Sequence, residues 1–296
     1  MKLRRKIGLT TWNIGFVNSA PDEFIRKREL GKIQWLKHAY RDRFFADPFI
    51  LSVTDDEIKV LVEELEFETN KGRITLLVID RENKSLVQRK PLLELSTHLS
   101  YPAIINVGNR TFVYPESSES GALLLYEYDY TKDTLTYVST LAEVGLVDAT
   151  IYRANNNYYM FATKLPNTQQ DAYLYKASDF RGKYIEISCV ARGKRNSRPA
   201  GNLITIGNEI YRPAQNCVRR YGANLEILKV EHIQGQYKET HVFSVFPKAY
   251  RYNLGLHTIN FYENIGVVDG KGYLFPLLGR FYNFARNLYY YIKTRY

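Results

Sequence analysis

The sequence has little cysteine and no long apolar run. Its 296 residues include only two cysteines, Cys189 and Cys217, and neither stands in a metal-binding spacing. We therefore expect buried free thiols of a reducing compartment instead of a disulfide framework or a zinc site. No run of 18 apolar residues occurs, so no membrane-spanning helix is predicted, and the basic N-terminus lacks the apolar core of a signal peptide. These absences predict a cytoplasmic protein that uses no metal and no cofactor.

Acidic residues are fewer than basic ones, at 31 against 41, which gives a net charge of +10. Such a charge suits nucleic acid, an anionic membrane surface or an acidic polysaccharide as the partner. Because no RNA-binding aromatic signature, helix-turn-helix pattern or zinc spacing is present, we expect no nucleic acid. Tyrosine is abundant, with 25 residues. Their strand propensity explains most of them, although tyrosine rings also stack on the faces of sugars.

A five-fold repeat is the main positive signal. An apolar run led by a single polar or aromatic residue occurs five times, at Asp47, Tyr101, Asp148, Arg198 and His257. In the first four repeats a polar turn and a second apolar run follow, which is the pattern of a β-hairpin. Groups of strands that recur at intervals of about 50 residues are typical of β-propeller blades. We predict an all-β, five-bladed β-propeller; the alternative is an irregular β-sandwich.

The chain divides into three segments. Residues 1–43 form a lead-in, within which residues 7–16 are a candidate strand for closing the ring, and residues 44–276 form the propeller. Residues 277–296 contain no acidic residue and four basic ones, Arg280, Arg286, Lys293 and Arg295. Their apolar residues recur at helical spacing, which predicts an amphipathic C-terminal helix. Such a helix suits peripheral contact with an anionic membrane or packing on the propeller flank.

The repeat also predicts a site. Pro48 favours extended geometry for the residue before it, so Asp47 is predicted to start a strand. In a propeller blade the start of the first strand and the end of the second lie on the same face. That face is predicted to collect the five lead residues and, from the second strands, Glu63, Glu64, Glu116, Thr163, Lys164, Arg212 and Gln215.

Glycosidic chemistry uses two carboxyl groups around the anomeric carbon, and neighbouring carboxylates raise one another's pKa. The catalytic candidates are Asp47, Asp148, Glu64 and Glu116. The substrate-binding candidates are Tyr101, Lys164, Arg198, Arg212, Gln215 and His257.

Each candidate also has a structural interpretation. Asp47 and Asp148 could cap strands, and Glu116 could belong to an ordinary turn. Since Glu63 and Glu64 are adjacent in a strand, only one of them can face the site. The two arginines could bind a phosphate or carboxylate of the substrate or neutralise the acids. His257 could be an acid, a ligand of a sugar hydroxyl or a buried structural residue.

Five short motifs carry a family resemblance. They are FADPF at 45–49, HLSYP at 98–102, RPAG at 198–201, YRPAQ at 211–215 and GLH at 255–257. Together they resemble the five-bladed propeller family related to the N-terminal domain of glucosamine inositolphosphorylceramide transferases. That family is similar to the glycoside hydrolase propellers of families 43, 32 and 68. The resemblance covers residues 33–275 and implies carbohydrate chemistry on a five-bladed propeller.

The resemblance also implies roles. Asp47 would match the base or nucleophile of the hydrolases, and Asp148 the aspartate that stabilises the transition state or tunes a pKa. The hydrolase acid is a glutamate that begins a downstream blade, where this chain has Arg198 and His257. This departure argues against plain hydrolysis and leaves Glu64 or Glu116 as substitutes for the hydrolase acid.

We therefore expect a cytoplasmic, glycosyltransferase-like enzyme of surface polysaccharide or glycolipid synthesis. It would act on a glycan or an activated sugar and could lie at the inner face of the membrane. The alternatives are a glycoside hydrolase or transglycosylase, and a glycan-binding propeller without catalysis.

Overall fold

A computed structural model describes residues 8–154, 156–233 and 236–293. The strands form five antiparallel sheets of four strands each, which confirms the predicted five-bladed β-propeller. The segment before the first complete blade contains β1 (Thr10–Asn18), the helix α1 (Pro21–Lys27) and β2 (Gln34–Trp35). Blade I consists of β3 (Arg43–Val53), β4 (Glu57–Glu66), β5 (Lys71–Asp80) and β6 (Leu86–Leu93).

The next three blades repeat the same hairpin order. Blade II consists of β7 (Ser100–Val107), β8 (Arg110–Glu116), β9 (Leu123–Asp129) and β10 (Thr134–Ala142), with a 3₁₀ turn at Ser118–Ser120. Blade III consists of β11 (Leu146–Ala154), β12 (Asn157–Lys164), β13 (Asp171–Ala177) and β14 (Ile185–Arg192). Blade IV consists of β15 (Ile204–Ile206), β16 (Glu209–Asn216), β17 (Asn224–Ile233) and β18 (Gln236–Val245).

Blade V joins the two ends of the chain. Its sheet has the order β19 (Ile259–Tyr262), β20 (Ile265–Tyr273), β1 and β2. β1 pairs with β20 along its whole length, from Thr10 opposite Tyr273 to Asn18 opposite Ile265. This pairing closes the ring, leaves fewer strand edges open and makes an N-terminal strand the third strand from the axis in blade V. The helix α2 (Pro276–Lys293) follows directly after blade V.

The inner strands bend at the lead residues of blades I to III. Asp47, Tyr101 and Asp148 have backbone φ angles of 49°, 43° and 49°. The strand register shifts at each of them, in β3 between Ala46 and Phe49. Left-handed backbone at a non-glycine residue costs about 1–3 kcal/mol, so it persists only where surrounding contacts impose it. These three residues therefore sit on β-bulges, which turn side chains in new directions.

The predicted place of Asp47 at the start of a strand is wrong. β3 begins at Arg43, so Asp47 is an interior residue, and its φ is left-handed rather than extended. The proline restricts the preceding residue only by local sterics, which the hydrogen bonds of the bulge override. In blades IV and V the lead residues Arg198 and His257 precede the inner strands instead.

Two further expectations concern cysteines and membrane spans. Both cysteines are free thiols, but only Cys217 is buried, because Cys189 on the outer strand β14 is half-buried. Within the described parts of the chain, no helix has the length and apolar character needed to cross a membrane.

Candidate active site

Asp47 lies at the propeller axis between blades V, I and II. Its backbone N–H donates to Asp269 Oδ2 at 3.1 Å, which holds the bulge in place. Its own carboxylate accepts the hydroxyl of Thr258 at 2.8 Å on Oδ1 and the N–H of Tyr101 at 3.3 Å on Oδ2. The bulge therefore aims the Asp47 carboxylate at the start of the innermost strands of the neighbouring blades.

His257 lies between two carboxylates. Its Nδ1 is 2.5 Å from Asp269 Oδ2, and its Nε2 is 3.8 Å from Asp47 Oδ1. Its ring stacks on the indole of Trp12, with centroids 3.9 Å apart and planes 14° apart, and the Tyr221 ring meets it edge-on at 5.2 Å. Burial alone lowers the pKa of His257, but Asp269 and Asp47 outweigh it and the pKa is raised. The order Asp269, His257, Asp47 can hold or move a proton along the axis.

Asp148 forms the second half of the axial cluster. Arg198 donates to its two oxygens from Nε at 2.5 Å and from Nη2 at 3.3 Å. Gln215 Nε2 donates to Oδ2 at 2.6 Å, and the Asp148 N–H donates to Glu116 Oε2 at 3.3 Å. Gln215 Oε1 is buried without a hydrogen-bond partner. The predicted residues Asp148, Arg198, Gln215 and Glu116 thus come together at the axis.

Both axial aspartates have unusual acidity. Burial is the main cause that raises the pKa of Asp47 to about 7; His257 opposes the rise, and Glu63, Asp148 and Asp269 add to it. Burial also raises the pKa of Asp148 to about 7, against the opposing charge of Arg198 and with the support of Glu116. Carboxyl groups that titrate near neutrality are suited to general acid or base catalysis.

Tyr101 is placed at the axis but is occupied by the protein. Its hydroxyl lies 2.9 Å from Thr150 Oγ1 and accepts the N–H of Gly201 at 2.7 Å. The side chain is buried and connects blade II with blades III and IV. These contacts make Tyr101 a connector of the inner strands, and they leave its hydroxyl little capacity for the predicted contact with substrate.

Glu64 is not at the axis. Its carboxylate binds Arg43 at 2.5 Å, Arg73 at 2.9 Å, Arg89 at 2.8 Å and the hydroxyl of Thr75 at 2.7 Å, all within blade I. Burial opposes ionisation, but these donors together lower the pKa of Glu64 to about 2. The structure therefore contradicts its predicted place among the axial carboxylates.

Side chains alternate along β4, so Glu63 takes the axial side. Its Oε1 lies 3.3 Å from Nε2 of His98, whose Nδ1 accepts the N–H of Gly72 at 3.0 Å. Burial lowers the pKa of His98, but Glu63 outweighs this and the pKa is raised. Glu63 was in the predicted set of side chains on this face but not among the catalytic candidates.

Lys164 and Arg212 are also directed away from the axis. Lys164 Nζ binds Glu186 on the outer strand of blade III at 2.7 Å and lies over the Tyr173 ring. Arg212 is fully buried, pairs with Glu239 of β18 and donates to the Asn196 carbonyl at 2.7 Å. Both cations bind strands of their own blades, so the structure does not bring them to the predicted substrate site.

Asp269, Thr258, Trp12 and Tyr221 are axial residues that the sequence analysis missed. Asp269 follows from the repeat, because it stands in the second strand of blade V as Glu63 and Glu116 do in blades I and II. Trp12 could not be found in this way, since only ring closure by β1 brings it to His257.

One group of side chains could in principle hold a cation. Ligand atoms of Asp47, His257 and Asp269 lie within 4.8 Å of one another. Asp269 already accepts four hydrogen bonds, from the N–H groups of Asp47, His257 and Thr258 and from the His257 ring. A metal ion would have to displace these donors. The donor set therefore fits a proton-holding network better than a metal centre.

The axial carboxylates are covered, and basic residues lie close by. Asp47 is 4% exposed and Asp148 is 1% exposed. Lys271 Nζ lies 5.3 Å from the centroid of the Trp12 ring, and burial and then the charge of Arg220 lower its pKa. Neither Lys271 nor Arg220 forms an ion pair with an acid in the described ranges. A cavity of about 470 Å³ lies elsewhere, at the rim between blades V and I.

The five blades form a five-bladed β-propeller, a fold that this chain shares with solved galactanase and GH43 structures. The fold matches an exo-β-1,3-galactanase from Phanerochaete chrysosporium solved with galactose, at TM-score 0.58 and 10% identity over 72% of this chain and 53% of that one. It also matches a GH43 enzyme from Xanthomonas citri complexed with xylose, at TM-score 0.53 and 9% identity over 75% and 80% of the chains.

Sequence comparison identifies the family. Residues 33–257 match the family described as glucosamine inositolphosphorylceramide transferase 1, N-terminal, and the chain belongs to it. The chain is 25% identical to glucosamine inositolphosphorylceramide transferase 1 of Arabidopsis thaliana over 247 residues, which cover 77% of this chain and 32% of that protein. It is 25% identical to the Oryza sativa subsp. indica protein over 215 residues, 69% of this chain and 28% of that protein. The chain thus spans about a third of these relatives.

Proposed function

We propose that this protein is a carbohydrate-active enzyme that transfers a glycosyl group from an activated donor. The observation that carries the proposal is the pair of buried axial carboxyl groups, Asp47 and Asp148, whose pKa values are both raised to about 7. A general base works best when its pKa lies near the working pH. The relatives are glucosamine inositolphosphorylceramide transferases, which favours transfer of a sugar over other carbohydrate chemistry.

Asp47 is the proposed general base. It removes the proton of an acceptor hydroxyl while that oxygen forms its bond to the anomeric carbon of the donor. His257 lies 3.8 Å from Asp47 and 2.5 Å from Asp269, and its positive charge favours the ionised form of Asp47, which is the form that accepts the proton. Trp12 fixes the plane of the imidazole by stacking on it.

Asp148 and Arg198 distinguish transfer from hydrolysis. A glycosidase must protonate a poor leaving group with a carboxylic acid, and at the corresponding downstream position this chain has Arg198. A phosphate leaves as an anion and takes the bonding electrons with it, so it needs a nearby cation rather than an acid. In this proposal Asp148 stabilises the positive charge that develops at the anomeric carbon, and Arg198, which donates to Asp148 at 2.5 Å, supplies a positive charge for the leaving group.

The phosphate of the donor is proposed to bind at Lys271 and Arg220. Arg212, which the sequence suggested for this role, is buried against Glu239 within blade IV. Lys271 lies over the Trp12 ring, which also stacks on His257, and the charge of Arg220 acts on Lys271. Two cations close together without acidic partners favour an anion between them.

We further propose that the protein acts in the cytoplasm, in synthesis of a surface polysaccharide or glycolipid. Two free cysteines suit a reducing compartment. Because the chain spans only about a third of the named transferases, the particular donor and acceptor have to be found by experiment.

The test incubates the full chain with nucleoside-diphosphate sugars, glucosamine donors included, and with inositol phosphorylceramide or oligosaccharide acceptors. Mass spectrometry should detect an acceptor that has gained one sugar, and the Asp47→Asn protein should form none. Release of free sugar from aryl glycosides without transfer would make the protein a hydrolase instead.

The low exposure of the axial carboxylates favours one alternative, a glycan-binding propeller without catalysis. Under that alternative no donor is consumed. Calorimetry would still detect glycan binding, and the Asp47→Asn variant would bind as tightly as the wild type. Turnover with any donor would exclude this alternative.

A further inference from the structure

The helix α2 docks on the propeller through its polar side. Gly279 is the buried residue of the helix, and a Cβ atom there would lie 2.6 Å from the Tyr273 ring. Next to it, the Arg280 guanidinium lies 4.2 Å from the centroid of the Tyr250 ring and donates to the Tyr250 carbonyl. Asn283, one turn later, is half-buried. Tyr282 lies against Gly8, so it is this side of the first turns that contacts the propeller.

The apolar side of α2 faces solvent. At about 100° per residue, Leu277, Phe281, Phe284, Leu288 and Ile292 fall within one arc of the helix. Phe281 is 73% exposed, Phe284 68%, Leu288 47% and Ile292 51%. A surface helix of a globular protein normally turns its apolar stripe to the core. The expected alternative, in which these residues are buried on the propeller flank, is therefore wrong.

Charge indicates what covers this arc. No acidic residue occurs in α2, and Arg286 and Lys293 are both exposed. A second copy of the helix would bring equal positive charges together with no acid to offset them. An anionic lipid surface supplies the opposite charge and an apolar layer for the aromatic rings.

We propose that α2 is a membrane-docking helix, whose apolar arc enters the headgroup and acyl boundary of an anionic bilayer. The helix lies in the interface and does not cross it. The polar side that contacts Tyr273 and Tyr250 stays with the propeller, so docking requires no refolding of the blades. This inference does not depend on the proposed glycosyl transfer.

The position of α2 also sets the orientation of the docked protein. Asp269 in β20 belongs to the axial cluster, and Tyr273, four residues further along the same strand, contacts α2. At about 3.3 Å per residue the helix begins roughly 13 Å beyond the cluster, at the end of the propeller where β3 also begins. Docking would therefore turn this end of the axis to the membrane. Only this consequence, that a lipid-borne acceptor would face the site, depends on the proposed function.

The experiment measures co-sedimentation of the full chain with two kinds of vesicle, one of pure phosphatidylcholine and one in which about a third of the lipid is phosphatidylglycerol. We expect binding to the anionic vesicles only, weakened by added salt because the charges are screened within about 10 Å. The double variant Phe281→Ser/Phe284→Ser should lose at least about ten-fold in partitioning, since two buried rings are removed. Arg286→Gln/Lys293→Gln should have a smaller effect, roughly three- to ten-fold at low salt, because both side chains lie on the side of the helix opposite the apolar arc.

A matched control removes two exposed apolar residues elsewhere, by Ile185→Ser/Ile187→Ser on the outer strand of blade III. This variant should sediment like the wild type, and all variants should keep the wild-type melting temperature, because none of the substituted side chains is buried. Equal binding to neutral vesicles, or no binding by the wild type, would overturn the proposal. So would a dimer that depends on Phe281 and Phe284, seen by light scattering, in place of vesicle binding.

Discussion

Asp47 and Glu64 are both buried carboxyl groups of blade I, and their acidities are shifted in opposite directions. Glu64 lies among three arginines, and its pKa falls to about 2. Asp47 has one histidine and three carboxylates for charged neighbours, and its pKa rises to about 7. Burial disfavours the ionised form in both, so the neighbours decide the outcome. The comparison separates a carboxylate that stabilises the blade from one that is suited to proton transfer.

The largest expected effect is on turnover. Asp47→Asn keeps the volume of the side chain but removes the base, so we expect glycosyl transfer to fall by at least about 10²- to 10⁴-fold. Unfolding in urea at neutral pH should show no loss of stability, because the amide avoids burying a charge. The matched control is Asp133→Asn, which alters the ion pair between Asp133 of blade II and Lys59 of blade I. This variant should keep full activity. Retained activity with reduced stability would make Asp47 a strand-capping residue.

Glu64→Gln should have the largest effect on stability. It leaves Arg43, Arg73 and Arg89 without their shared carboxylate, and loss of one partner of a buried ion pair costs roughly 3–5 kcal/mol. Glu66→Gln is the control, because Glu66 contacts Arg43 and Arg73 but is partly exposed; it should cost less than about 1 kcal/mol. Urea unfolding of both variants measures the difference. Equal losses would mean that neither burial nor the three-arginine pocket makes Glu64 more stabilising than Glu66.

The pH dependence of stability should carry opposite signs for the two groups. The pKa of Asp47 rises from 3.8 to about 7 on folding. Between about pH 4 and 7 the folded chain therefore binds more protons than the unfolded chain, and the contribution of Asp47 to the free energy of unfolding falls as pH rises. The pKa of Glu64 falls from 4.5 to about 2. Its contribution is therefore present above about pH 4.5 and is lost as pH falls towards 2.

Unfolding free energies from about pH 3 to 8 check both signs. Asp47→Asn should flatten the decline between about pH 4 and 7, and Glu64→Gln should flatten the loss below about pH 4.5. If Asp47→Asn left the upper window unchanged, Asp47 would be ionised in the folded protein and unsuited to the proposed role.

The smallest effect concerns the proposed anion site. Lys271→Gln should raise the KM for a phosphate-bearing donor about five- to ten-fold and leave kcat nearly unchanged, since a contact present in both ground and transition state is lost. Lys132→Gln removes an exposed lysine in the turn between β9 and β10 and should change neither constant. A fall in kcat at constant KM would instead place Lys271 in the chemical step.

The site could be predicted only in part. Asp47, Asp148, Glu116, Arg198, Gln215 and His257 follow from the repeat, because equivalent strand positions in each blade converge on one axis. The prediction that Glu64, and not Glu63, faces the axis was wrong. Side-chain alternation along a strand shows that adjacent residues face opposite sides, but it does not show which side faces the axis. Lys164 and Arg212 failed for a related reason: their acidic partners, Glu186 and Glu239, lie on outer strands whose register the sequence does not reveal.

The five repeats, the hairpins within them and the amphipathic character of the C-terminal helix can be predicted from the sequence, because these features depend on patterns within a few tens of residues. The left-handed bulge at Asp47 cannot, because long-range hydrogen bonds to Asp269 and Thr258 impose it. The tertiary structure also decides the pairing of β1 with β20, which carries Trp12 to His257 across the whole length of the chain. The outward turn of the α2 apolar arc depends likewise on contacts with Tyr273 and Tyr250, which a helical pattern alone does not contain.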